Sequence, residues 1–256
     1  MLVGNGILKS CARQNNFNAK DWSQCLFDIS KNKTTFITKE SFKEIPYSLQ
    51  ATIIAPANDK ERWDLYSEKL KTLSLSDNLL LKSLVTLGFD SILTTNYTYE
   101  IENCFHENYS SLKNKLPYAK TIIRKSLNYQ PDPKYLLHTF NQFKNSPQIW
   151  HIHGELRRKS SIVLTHDEYS RLIHRLISEN ALNENKYVKF EDEVRYNSWL
   201  DYLLMSNLYI VGLGLDFSEF DLWWIINRRV RERAKTGRIV FFYNKSDSLQ
   251  VNSALI

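Results

Sequence analysis

The feature that most constrains this chain is a repeated pairing of a short apolar segment with a polar or glycine cluster. It occurs four times. Met1–Val3 runs into Gly4-Asn5-Gly6, and Asp90–Leu93 runs into Thr94-Thr95-Asn96. Gln148–Ile152 carries His151 and runs into His153-Gly154, and Leu208–Val211 runs into Gly212-Leu213-Gly214-Leu215-Asp216. Apolar runs this short read as buried strands of a parallel sheet, covered on both faces. Stretches with helical spacing separate them. Trp22, Cys25, Leu26 and Ile29 share one helix face, and Trp63, Tyr66 and Leu70 share another in Asn58–Leu73. Further helices are predicted over Leu79–Leu87, from a cap at Thr165 or Asp167 to about Ser178, over Tyr187–Met205, and from Ser218 to about Ala234. Thr121–Ile123 and Ile162–Leu164 read as short strands and Ile239–Tyr243 as the last one. The alternation predicts an α/β fold, a doubly wound, mostly parallel Rossmann-like sheet with helical and loop insertions.

The 256 residues suit a single domain, 1–256. A helical insertion is expected at about 40–87. A polar stretch at about 107–147 contains Pro117, Pro131, Pro133 and Pro147 and reads as an irregular insertion. No internal repeat stands out.

In an open parallel sheet, ligands bind beyond the C-terminal ends of the strands. All four clusters fall at such ends. Glycine placement points the same way. The chain has only seven glycines, where about 18 would be average. Gly4, Gly6, Gly154, Gly212 and Gly214 all lie in the clusters, where a backbone must turn sharply or come close to a ligand. Backbone N–H groups at such turns and at helix N-termini suit a pyrophosphate. Gly212-x-Gly214 lacks the third glycine of the full dinucleotide fingerprint.

Each cluster also has a plain structural account. Gly-Asn-Gly is a common turn. Asn96 could cap a helix over Tyr97–Phe105. His153 could be a core histidine, and strand alternation places His151 on the same side as His153.

Together the clusters resemble a known family. The order Gly4-Asn5-Gly6, Leu93-Thr94-Thr95-Asn96-Tyr97 with Glu102 beyond, His151-Ile152-His153-Gly154, and Val211-Gly212-x-Gly214-x-Asp216 resembles the sirtuin-like NAD-hydrolase domains of bacterial antiphage systems, the Thoeris effector and defence-associated sirtuins among them. The resemblance spans roughly residues 1–245. It implies catalysis by Asn96 and His153, and an NAD site lined by Gly4, Asn5, Gly6, Thr94, Thr95, Gly212, Gly214 and Asp216. It implies NAD as the substrate, cleaved to nicotinamide and ADP-ribose, with NAD depletion serving abortive-infection defence. It implies a homo-oligomer, and it leaves room for a regulatory domain or partner protein. One position departs from the family: Thr98 stands where aspartate usually follows Asn-Tyr.

A true sirtuin deacylase carries four zinc cysteines in a small domain. This chain has Cys11, Cys25 and Cys104, with no Cys-x-x-Cys pair, so free thiols and no metal are expected. A module that senses NAD or another nucleotide without cleaving it is the main alternative. Arg228, Arg229, Arg231, Arg233 and Lys235 leave nucleic-acid contact open, although a basic last helical turn also complements the helix dipole. Of Trp223 and Trp224, one is expected in the core and the other at a subunit contact. The net charge of +6 favours an anionic ligand without specifying one. No apolar run is long enough for a membrane span, and the N-terminus lacks a secretory signal, so the expected compartment is the cytoplasm.

Overall fold

The structure is a computed structural model. It describes residues 1–7, 9–10, 22–30, 38–54, 64, 79–102, 104, 120–123, 136–139, 148–156, 158, 161–178, 199–215, 217–231 and 237–243.

Among the described residues seven strands form one sheet. They are β1 (Leu2–Val3), β2 (Ser91–Thr94), β3 (Lys120–Ile123), β4 (Leu136–Thr139), β5 (Gln148–His151), β6 (Leu208–Val211) and β7 (Ile239–Phe242). Their spatial order is β3-β4-β5-β2-β1-β6-β7. The five strands β5-β2-β1-β6-β7 are parallel. β3 and β4 extend the sheet antiparallel beside β5. The predicted doubly wound, mostly parallel sheet is therefore the observed one, and β4 is a strand the sequence pattern did not reveal.

The short first strand is central. Leu2 pairs with Leu93 on one side and Ile210 on the other. From β1 the chain goes to β2, passes to the outermost strand β3, returns through β4 to β5, then crosses to β6 and β7 on the other side. The order reverses at β1, and the crevice between the exits of β1 and β6 is the switch point where such sheets bind ligands.

The helices are α1 (Trp22–Ser30), α2 (Lys39–Lys43), α3 (Tyr47–Ile54), α4 (Leu79–Val85), α5 (His166–Ser178), α6 (Trp199–Met205) and α7 (Phe220–Arg231). Both sheet faces are covered, as the apolar residues of parallel strands require. Leu2, Leu93, Trp150 and Ile210 bury one face against α5, α6 and α7. Val3, Ile92 and Ile149 bury the other against α4 and against Ile101 and Cys104 of the helical residues after β2. A third cluster joins α1, α2 and α3 to Tyr97, Ile162 and Leu164. Those three residues belong to the loops leaving β2 and β5, so this helical group sits over the C-terminal edge of the parallel strands.

Local chemistry fixes these elements. Thr165 Oγ1 accepts the Glu168 N–H, and Glu168 Oε2 accepts the N–H groups of Leu164 and Thr165. This reciprocal cap starts α5 where the sequence placed it. Arg229 is buried in α7 and donates to the carbonyls of Leu203, Ser206 and Gly237. It ties the end of α6 to the start of β7, and burial lowers its pKa to about 10. One arginine of the basic run is thus internal rather than part of a solvated face.

One expectation meets a different outcome. Ile162–Leu164 is an extended loop rather than a strand. Trp223 and Trp224 are both partly buried against the core. The helix expected over Asn58–Leu73 lies, apart from residue 64, outside the described residues. Cys25 and Cys104 are buried. Among the described residues no helix is long and apolar enough to cross a membrane.

Candidate active site

The turn after β1 is built by close backbone contact. Gly4 N–H donates to Val211 O at 3.0 Å, and Gly6 N–H donates to Gly212 O at 2.6 Å. A Cβ on Gly6 would lie 2.7 Å from Gly212 O. Only glycine lets the exits of β1 and β6 touch in this way. Lys9 N–H donates to Asn5 O at 3.1 Å, so a helical turn opens at Gly6, with its N-terminus at the switch point. Across the crevice Gly214 is exposed, with nothing within 4 Å of a Cβ built on it. Leu215 follows at φ 49°, and its carbonyl accepts the Trp223 indole N–H. Asp216 lies outside the described residues.

The exit of β2 presents Asn96. Thr94 is fully buried, and its Oγ1 accepts the Asn96 N–H at 3.1 Å. Thr95 N–H donates to Val3 O at 3.3 Å. Thr95 and Asn96 remain partly exposed at the edge. Asn96 is not a helix cap, because regular helix resumes only at residue 100.

β5 is the hydrogen-bonded neighbour of β2, with Thr94 opposite His151. Asn96 and His153 thus each lie two residues beyond a paired position on adjacent strands. The strand ends at His151, and Gly154 N–H closes a turn onto His151 O at 3.1 Å. Strand alternation therefore stops before His153, and the two histidines part company. His151 continues the face of Ile149, toward the helical residues after β2. His153 turns to the opposite face, toward α5 and α7. Their expected common side is corrected by this turn.

Gly154 makes the turn at φ 89°, and a Cβ there would lie 2.2 Å from Ser161 O. The chain then doubles back so that Val163 N–H donates to His153 O at 2.8 Å. Tyr97 O–H adds a bond to Val163 O at 2.7 Å. His153 is pinned on both sides of its peptide.

Its ring is held as well. Nε2 lies 2.9 Å from Asp221 Oδ2, and Nδ1 lies 3.4 Å from the Tyr169 hydroxyl. The Tyr169 ring meets the imidazole edge-on at 5.2 Å. Burial alone would lower the His153 pKa, but Asp221, by charge and hydrogen bond, and Glu219 by charge raise it above 6.5. Burial and nearby acids hold Tyr169 well above 10, so its hydroxyl keeps its proton.

His151 is engaged differently. Nδ1 donates to Asn96 O at 2.8 Å, and Nε2 lies 2.7 Å from Glu102 Oε1. Burial opposes its protonation, but Glu102 and, more weakly, Glu155 and Asn96 O raise its pKa to about 9. Glu100 is buried nearby, and its carboxylate accepts the Thr98 hydroxyl. Burial lifts its pKa to about 7 against the effect of that bond.

A family model for the SIR2-like domain matches residues 90–255. The chain belongs to the SIR2-like domain family. No curated protein matches it. The match begins at β2 and takes in the loops carrying Asn96, His153 and Gly212–Gly214. Membership supports a sirtuin-related role in NAD binding or processing. In this SIR2-like domain, no described group of three His, Cys, Asp or Glu residues could hold a metal ion.

Sequence reasoning missed Asp221 and Tyr169. An acid in the first turn of a helix reads as a complement to the helix dipole. The available signal was periodicity: Asp221, Leu222, Ile225, Ile226 and Arg229 form one buried stripe, so the acid lies on the apolar face. A charge in that position needs a buried partner.

Proposed function

We propose that the chain is a single NAD-binding domain that hydrolyses NAD at the nicotinamide–ribose bond. The observation that carries this reading is the pairing of β2 with β5. It puts Asn96 and the Asp221-held His153 beyond adjacent strand ends, next to the crevice where the strand order reverses.

The chemistry follows from the substrate. Nicotinamide in NAD is cationic, so it leaves as a neutral molecule without an acid. The ribose carbon becomes oxocarbenium-like, and water adds to it. The products are nicotinamide, ADP-ribose and one proton. Asn96 would orient the ribose or the water through its side-chain amide. His153 would take the proton from the water or a ribose hydroxyl, with Asp221 fixing the tautomer and stabilising the imidazolium. The helical turn opening at Gly6 and the exposed backbone at Gly214 would face the pyrophosphate. Asn5, Thr95 and Gly212 share that edge, with Gly4 and Thr94 shaping its floor; the resemblance adds Asp216 to the NAD site. As the resemblance implies, the proposed setting is antiphage defence by NAD depletion, in a homo-oligomer.

A second reading has its own observation. His153 is 2% exposed with both ring nitrogens engaged, which suits a module that binds NAD without cleaving it. Nicotinamide release from NAD by the purified chain decides between them. Hydrolysis predicts turnover that falls about 100-fold or more in both Asn96→Ala and His153→Ala. Saturable NAD binding without nicotinamide release would establish the sensing module instead.

A further inference from the structure

The structure assigns the buried pair His151–Glu102 as the device that positions Asn96. His151 lies under the loop that carries Asn96 and is completely buried. It faces the helical residues after β2, away from His153. It therefore acts through the loop rather than on substrate.

The bonding pattern leaves little freedom. A backbone carbonyl only accepts, so the 2.8 Å contact with Asn96 O requires a proton on Nδ1. On the other nitrogen, Glu102 Oε1 at 2.7 Å either accepts from an imidazolium or, if protonated, donates to a neutral ring. Either arrangement keeps the Nδ1–H bond to Asn96. The Asn96 peptide is then held at both ends, its N–H by Thr94 Oγ1 and its carbonyl by His151. The half-buried side chain projects from a fixed peptide. The arrangement resembles a metal site's supporting shell in logic: a buried partner fixes the orientation of the group that does the work.

Glu102 lies on the helical residues that follow β2, and His151 ends β5. The pair thus bridges the two strands whose exits carry Asn96 and His153. It also accounts for a histidine at 151 that the hydrolysis chemistry leaves unused.

The role in turnover rests on the proposed NAD hydrolysis, whereas the ordering of Asn96 does not, and two readouts separate them. The first is the kinetics of nicotinamide release for wild type, Glu102→Gln and His151→Leu, with melting curves to confirm folding. Positioning predicts a kcat loss of about 30-fold or more in His151→Leu, a smaller loss in Glu102→Gln, and KM for NAD within about threefold of wild type. The second is amide hydrogen exchange and 15N relaxation at Thr95 and Asn96 in the same proteins, free of NAD. Positioning predicts faster exchange and lower order there in His151→Leu, with Leu172 in α5 unchanged. A folded His151→Leu protein with unaltered order at Asn96 overturns the proposal, as does full kcat in an active enzyme. Loss of order at Asn96 in a protein whose wild type releases no nicotinamide supports the positioning and counts against hydrolysis instead.

Discussion

His153 Nε2 lies 2.9 Å from Asp221 Oδ2, joining the loop after β5 to the first turn of α7 in a fully buried contact. The imidazole has to be neutral to accept a proton, and Asp221 favours the charged form. Catalysis by His153 as a base must therefore rise with pH, with a midpoint above 6.5. In Asp221→Asn the attraction is lost and the burial effect remains, so the midpoint moves down. The rate at the plateau falls by roughly 10²-fold as the ring loses its orienting acceptor. The pH profile of kcat/KM for nicotinamide release in the two proteins checks this. An unshifted midpoint in Asp221→Asn would remove His153 as the titrating base.

The sheet was legible because its strands are short, apolar and abruptly terminated. Leu208–Val211 coincides with the observed strand, and Met1–Val3 leads into β1 because an apolar start before Gly-Asn-Gly has few other uses. The faces of the histidines were not legible. Strand alternation applied to His151 and His153 gave one side for both, and the turn closed by Gly154 gave two. Asp221 was hidden for a related reason: sequence spacing shows which residues share a helix face, but not which loop that face meets. β4 was hidden because a strand held antiparallel between β3 and β5 is specified by its partners more than by its own pattern.

Stability should fall in two stages as pH rises. The folded state raises the Glu100 pKa from 4.5 to about 7, so it binds that proton more tightly than the unfolded chain. Stability from this group is complete below about 4.5 and lost through pH 7. The fold also raises His151 from 6.5 to about 9, so its contribution is complete below 6.5 and lost through pH 9. That second shift corresponds to roughly 3 kcal/mol. Melting temperatures from pH 4.5 to 9 should flatten below pH 7 in Glu100→Gln and above it in His151→Leu. Identical slopes in wild type and both variants would contradict the assignment.

Gly154→Ala should damage both fold and site. The position needs φ 89°, and the added Cβ would meet Ser161 O and Ile162 N, neither of which is a side chain that can swing away. Strain and collision together should cost about 2 kcal/mol or more. The turn that aims His153 at Asp221 would open. Chemical denaturation should show the loss, and nicotinamide release should drop beyond what the unfolded fraction explains. A variant of wild-type stability would show that the turn has room the geometry denies.

Gly6 and Gly214 lie on the chain leaving β1 and β6, yet they should respond oppositely to the same change. In Gly6→Ala the methyl group meets Gly212 O at 2.7 Å and the Gly212 Cα at 3.0 Å, both backbone atoms. The exits of β1 and β6 would be forced apart, at a cost of about 2 kcal/mol. In Gly214→Ala the methyl group enters open space, and the stiffer unfolded chain should leave stability unchanged or slightly raised, by up to about 1 kcal/mol. If the NAD pyrophosphate lies against that backbone, the same methyl group stands in its path and KM for NAD rises several-fold while kcat changes little. Melting curves with steady-state nicotinamide release read both effects. An unchanged KM in Gly214→Ala would place the pyrophosphate elsewhere along the strand exits, against the helical turn that begins at Gly6.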